Sequence, residues 1–134
     1  MANNIIYPTA EKIIEYNFLA LKLIKVKKAD SPKVLSYHSI ANVIEGCKSL
    51  DGDIYDKAVH LMKGIIQKHP FASGNRRTAF IVAKEFLLDN RAHFKIMDDP
   101  SYARVMQGIR ENFYTNEELK EWIKNGKIRE FNRR

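Results

Sequence analysis

A chain of 134 residues is the size of one domain, and a domain of that size buries roughly two-thirds of the surface its unfolded form exposes, so one core suffices. With 45% hydrophobic and 29% charged residues, the composition is ordinary for a globular protein and excludes an apolar-poor, disordered chain. The formal net charge of +7 favours anionic partners such as nucleotides, acidic proteins or nucleic acid.

The chain opens on Met1-Ala2-Asn3-Asn4, which lacks the basic and apolar regions of a signal peptide. No later stretch approaches the roughly 20 apolar residues that span a bilayer, so the expectation is a cytoplasmic protein with no membrane partner. Thr9 is suited to cap a first helix over about 9–25, with Ile13, Ile14, Phe18, Leu21 and Ile24 on one face. Charge and Pro32 break that pattern at 27–32, which reads as an exposed loop. A second helix over about 37–48 turns Ile40, Val43, Ile44 and Cys47 inward; Cys47 is the only cysteine, so it reads as a buried structural thiol.

Asp53 or Gly52 can cap a third helix over 54–68, whose stripe of Ile54, Ala58, Leu61, Met62, Ile65 and Ile66 is broad enough for a central position. A loop at 69–73 leads to a fourth helix over about 74–90, with Ala79, Phe80, Ala83, Phe86 and Leu87 inward. The run 93–96 could be extended but has no partner. Asp98 or Asp99 before Pro100 signals a fifth helix carrying Tyr102, Val105, Met106 and Ile109. Thr115 with Glu118 is a capping box for a sixth, which carries Leu119, Trp122 and Ile123 and stops at Gly126. The fold class expected is therefore all-α, a compact single-domain bundle of about six helices over residues 1–134.

One segment carries chemistry. Residues 69–78 read His-Pro-Phe-Ala-Ser-Gly-Asn-Arg-Arg-Thr between two apolar helices. A helix opening on Gly74-Asn75-Arg76-Arg77 offers unpaired backbone N–H groups, a positive dipole end and two guanidinium groups, which together make a phosphate cradle. The planar fork of arginine suits phosphate oxygens, and the Asn75 amide can donate as well. His69, one short loop away and followed by Pro70, is placed to take a proton from an incoming hydroxyl as general base. On the residues alone, a His69 that merely caps the preceding helix stays open beside that role.

The 69–78 run resembles the signature of the Fic/Doc superfamily: His-Pro-Phe, any residue, an acidic residue, Gly-Asn, then glycine or lysine, then arginine. Tyr7-Pro8-Thr9-Ala10-Glu11, the helix over 54–68 and Phe86-Leu87-Leu88-Asp89-Asn90 extend the likeness over most of the chain. Its Arg-Arg-Thr ending is closer to the Doc (death-on-curing) toxin branch, because Phe80 stands where Fic proteins keep a second arginine. The resemblance implies His69 as general base, Ser73, Gly74, Asn75, Arg76 and Arg77 as phosphate or nucleotide contacts, and Pro70 and Phe71 as motif anchors. It implies ATP or another nucleotide as co-substrate, a protein substrate such as elongation factor Tu, and an antitoxin protein as partner.

Two positions depart from the pattern. Arg76 stands where Fic proteins keep glycine and Doc carries lysine, and its bulk hinders an AMP-transferring pose, so phosphoryl transfer is preferred. Ser73 replaces the acidic residue that holds Mg²⁺ in the family, and a hydroxyl is a far weaker ligand for that hard cation, so Mg²⁺ binding is weakened. Ser73 remains suited to capping a helix or donating to phosphate. Three functions therefore stay open: a Doc-like protein phosphotransferase, a nucleotide- or partner-binding module without turnover, and an AMP-transferring Fic enzyme. The basic runs at 22–28 and 127–134 lack the interleaved aromatics that stack bases, which leaves nucleic acid as the weaker partner class. Asp51, Asp53 and Asp56 read as a cap and a solvated first turn, and His38, His60 and His93 show no metal-ligand spacing.

Overall fold

A computed structural model of the chain describes residues 4–23 and 33–132. The expected loop at 27–32, Ile24 and parts of both basic runs lie outside the described residues. Six helices follow one another: α1 (Ala10–Leu23), α2 (Tyr37–Ser49), α3 (Ile54–Lys68), α4 (Asn75–Asp89), α5 (Tyr102–Arg110) and α6 (Asn116–Asn125). Among the described residues there is no strand, only an isolated antiparallel bridge between Val34 and Phe71. The all-α expectation holds.

Local chemistry explains most boundaries. Thr9 Oγ1 accepts from Lys12 N at 3.1 Å, which makes Thr9 the cap of α1. Asp53 rather than Gly52 caps α3, in a reciprocal box with Asp56, and Thr115 forms the box expected with Glu118 at the start of α6. Gly126, at φ 75°, ends α6 in the left-handed region. Two starts differ from expectation. Pro100 lies in a turn in which Tyr102 N donates to Asp99 O, and α5 begins only at Tyr102. Gly74 is the N-cap of α4 rather than its first residue, and no side chain caps that end, so Ser73 is not the cap.

Helix α3 is the hub. It packs against α2, α4, α5 and α6, and its contact with α4 is the most extensive in the molecule. Ala58, Leu61, Met62, Ile65 and Ile66 are all at most 1% exposed, as a helix surrounded by others requires. Lys57 on the same helix is buried too, with Nζ donating to the carbonyls of Cys47 at 2.8 Å and Leu50 at 2.7 Å, and so closes the end of α2. Cys47 is fully buried, and burial pushes its thiol up to about 11, so it is an inert structural residue as anticipated. The 93–96 run is not a strand, but Lys95 N donates to Ile123 O at 2.9 Å and Ile96 is buried.

The C-terminal segment fixes α5. Phe131 is 3% exposed and packs edge-on to Phe113, with ring centroids 5.0 Å apart, while its carbonyl accepts from Arg104 Nε at 3.1 Å. Gly108 makes room for this docking, since a Cβ there would lie 2.5 Å from the Tyr114 ring. Arg129 lies 3.9 Å over the Phe113 ring and pairs with Glu118, whose carboxyl that contact pulls down to about 2. A tail read from sequence as a solvated basic face is, over 128–131, partly a packed one. Phe131→Ala should therefore destabilise the fold by about 3 kcal/mol in a urea titration. A loss below about 1 kcal/mol would show that the segment is not docked in solution.

Candidate functional site

The junction between α3 and α4 is built from one strained residue, one glycine and one buried amide. His69 is the C-cap of α3, at φ 51° and ψ 57°, a left-handed conformation that histidine tolerates better than most residues but at some cost. Its N–H donates to Ile65 O at 3.1 Å, which turns the chain away from the α3 axis. Pro70 and Phe71 follow into the interior, Phe71 fully buried. Leu35 N donates to Pro70 O at 2.7 Å and Ala72 N to Lys33 O at 2.9 Å, so the loop is tied to the segment leading into α2.

Asn75, 5% exposed, closes the loop. Its Oδ1 accepts from Phe71 N at 3.1 Å and its Nδ2 donates to Phe71 O at 2.8 Å, a two-point bracket that also fixes which way the amide faces. Nδ2 then lies 3.3 Å from His69 Nδ1, so both amide hydrogens have partners inside the junction. The amide is engaged with the loop and the imidazole rather than turned to the cleft. Helix α1 supports the loop from behind. Asn17, fully buried, donates from Nδ2 to Ser73 O and to Thr78 Oγ1, each at 3.0 Å. Gly74, at φ 78°, lies so close to α1 that a Cβ would sit 3.2 Å from Asn17 Nδ2 and Leu21 Cδ2.

The imidazole faces a second donor. Arg110, the last residue of α5, places an Nη 3.0 Å from His69 Nδ1. Neither a guanidinium nor the fixed Asn75 amide can accept, so Nδ1 holds the lone pair and the proton of the neutral ring is on Nε2. Burial, reinforced by the charges of Arg110 and Arg76, holds the ring below the usual imidazole value and keeps it neutral at neutral pH.

His69, Ser73, Asn75, Arg76, Arg77 and Arg110 line a cleft of about 300 Å³ at the N-terminus of α4, where the helix dipole is positive. The three arginines differ. Arg77 forks onto Asp98 at 2.6 and 3.0 Å and donates to Tyr102 Oη at 2.7 Å, while Tyr102 stacks on Phe80 at 4.5 Å. That hydrogen bond holds the Asp98 carboxyl below the usual carboxylate range and neutralises much of the Arg77 charge. Arg76 is exposed, so the charge offered to the cleft comes chiefly from Arg76 and Arg110.

Mg²⁺ does not fit this donor set. Among the described residues no side chain lining the cleft is a carboxylate, and the hydroxyl of Ser73 stands among cations. Asp53 and Asp56 are elsewhere, each 3.1 Å from Lys120 Nζ. Among the described residues no group of three or more His, Cys, Asp and Glu could hold a metal ion. A larger concavity of about 610 Å³, beside Asp56, His60, Lys63 and Gln67 of α3 and Asn116 of α6, contains none of the motif residues.

Sequence reasoning singled out neither Arg110 nor Asn17, nor Asp98 as the partner of Arg77. Asn17 left a trace, a polar residue on the otherwise apolar face of α1. Arg110 left none, because a basic residue in a last helical turn is already explained by the dipole. Two outcomes follow. Asn75→Ala strands the buried N–H and C=O of Phe71 and should destabilise the protein by about 2 kcal/mol in urea; a change below about 0.5 kcal/mol argues against the bracket. The His69 ring should titrate below 6.5 by NMR and move upward in Arg110→Ala, whereas a midpoint above 6.5 contradicts the geometry.

No described helix is long and apolar enough to cross a membrane. Among curated proteins, none matches the chain. The family model for the Fic/DOC family matches residues 22–87, a stretch that takes in α2, α3, the junction with its histidine and α4 as far as Leu87, and this match supports a place for the chain in the Fic/Doc superfamily.

Proposed function

We propose that the domain is a Doc-like, nucleotide-dependent protein phosphotransferase, moving a nucleotide's terminal phosphate onto a protein hydroxyl. The observation that carries this reading is a neutral imidazole, His69, set 3.0 Å from a guanidinium at the rim of a cation-lined cleft over a helix N-terminus. Phosphates bound there would lie beside the residue able to take the hydroxyl proton. In the transfer, the hydroxyl oxygen bonds to the terminal phosphorus and the bond from phosphorus to the bridging oxygen breaks. The nucleoside diphosphate leaves with that electron pair, and the hydroxyl proton passes to the His69 imidazole.

Arg76, one of the residues that line the cleft, favours phosphoryl over AMP transfer, because it adds bulk where a glycine would leave room for the nucleotide. By resemblance, the protein acts in the cytoplasm as a single-domain toxin, its target is a translation factor, and an antitoxin restrains it. A second reading is favoured by Ser73 and by the covered lone pair of His69: a nucleotide- or partner-binding module that keeps the cradle without turnover. Intact-mass analysis after incubation with ATP and elongation factor Tu separates them. Transfer predicts addition of one phosphate, reduced roughly a hundredfold or more by His69→Ala. An AMP adduct would favour adenylylation, and ATP binding without any adduct would favour the module.

A further inference from the structure

We infer that the cleft binds its anion without a metal ion, and that Arg110 supplies the replacing charge by turning from His69 Nδ1 onto a ligand phosphate. The inference rests on reading the cleft as a phosphate site. It starts from the donor set, in which, among the described residues, no carboxylate lines the cleft and three arginines do. A divalent cation there meets no hard anionic ligand and is repelled by the neighbouring charges, so the protein disfavours it twice.

The same charges suit a polyphosphate, but they are not equally free to act. Arg77 is committed to Asp98 through two hydrogen bonds of 2.6 and 3.0 Å. Arg110 is exposed, and its contact at the cleft, 3.0 Å long, is with a neutral imidazole nitrogen. A guanidinium bonds more strongly to a phosphate oxyanion than to a neutral acceptor, so an arriving phosphate draws Arg110 away from the ring. That exchange has a second effect. Nδ1, which faces two donors here, then keeps one, and this ties occupancy of the cradle to the surroundings of His69. Asn75 Nδ2, at 3.3 Å, stays behind to keep the ring oriented.

Calorimetric titration of the full chain with ATP, once in EDTA and once with Mg²⁺, tests this directly. ATP should bind at least as tightly in EDTA. Arg110→Ala should weaken it roughly tenfold or more there, and Arg110→Lys, which keeps a point charge, should retain part of the affinity. In a parallel ¹⁵N NMR measurement, ATP should shift the His69 Nδ1 resonance of the wild type and leave that of Arg110→Ala nearly still. Arg110 is exposed at the end of α5, and matched thermal melts of the variants establish that their fold is intact. Loss of ATP binding in EDTA, or an Arg110→Ala affinity within about twofold of wild type, overturns the inference while leaving a nucleotide site in place. No ATP binding in either buffer removes both.

Discussion

A single buried amide organises the junction on which the proposed chemistry depends. Asn75 binds both polar groups of the Phe71 main chain, at 3.1 and 2.8 Å, and so closes the loop between the two most heavily packed helices. Inside the loop the chain must enter and leave through left-handed conformations, at His69 and at Gly74. One of these is strained and the other needs glycine, and the buried bracket is what holds them against relaxation. The orientation of the imidazole is therefore a consequence of core packing. Because the amide cannot turn over without losing both Phe71 bonds, it also fixes the tautomer of the ring beside it.

Around this junction the charges are sorted. Arg77 lies in the first turn of α4, but Asp98 and Tyr102 engage both of its Nη nitrogens, so it works chiefly as a clamp between α4 and the segment that opens α5. That clamp, with the docking of Phe131 over Gly108, sets where α5 ends and hence where Arg110 meets His69. Ser73 adds no negative charge. The outcome is a small cleft with a positive helix end, two exposed arginines and, among the described residues, no carboxylate lining it, which is the electrostatic profile of an anion site rather than a metal site.

Local signals in the sequence located most of the fold. The Asp53 and Thr115 caps, the stop at Gly126 and the apolar faces of α2, α3 and α4 each depend on residues within a few positions of one another, and each was legible. The start of α5 was misplaced because a proline suited to a first helical turn serves equally well in the turn before it. Motif positions were legible as a set, but their division of labour was not. Whether Asn75 and Arg77 face a ligand or the protein depends on Phe71, Asp98 and Tyr102, and the last two are more than 20 residues away from Arg77 in sequence. Arg110, 41 residues from His69, belongs to the same class of long-range contact.

The most direct test of this account is a crystal structure of the protein grown with ATP in the absence of divalent cations. The account predicts triphosphate density over the N-terminus of α4, the guanidinium of residue 110 on a phosphate oxygen, and the His69 ring still held by Asn75 at Nδ1. Nucleotide bound in the larger concavity beside α3 and α6, or Arg110 still seated on the imidazole of a filled cleft, would contradict it.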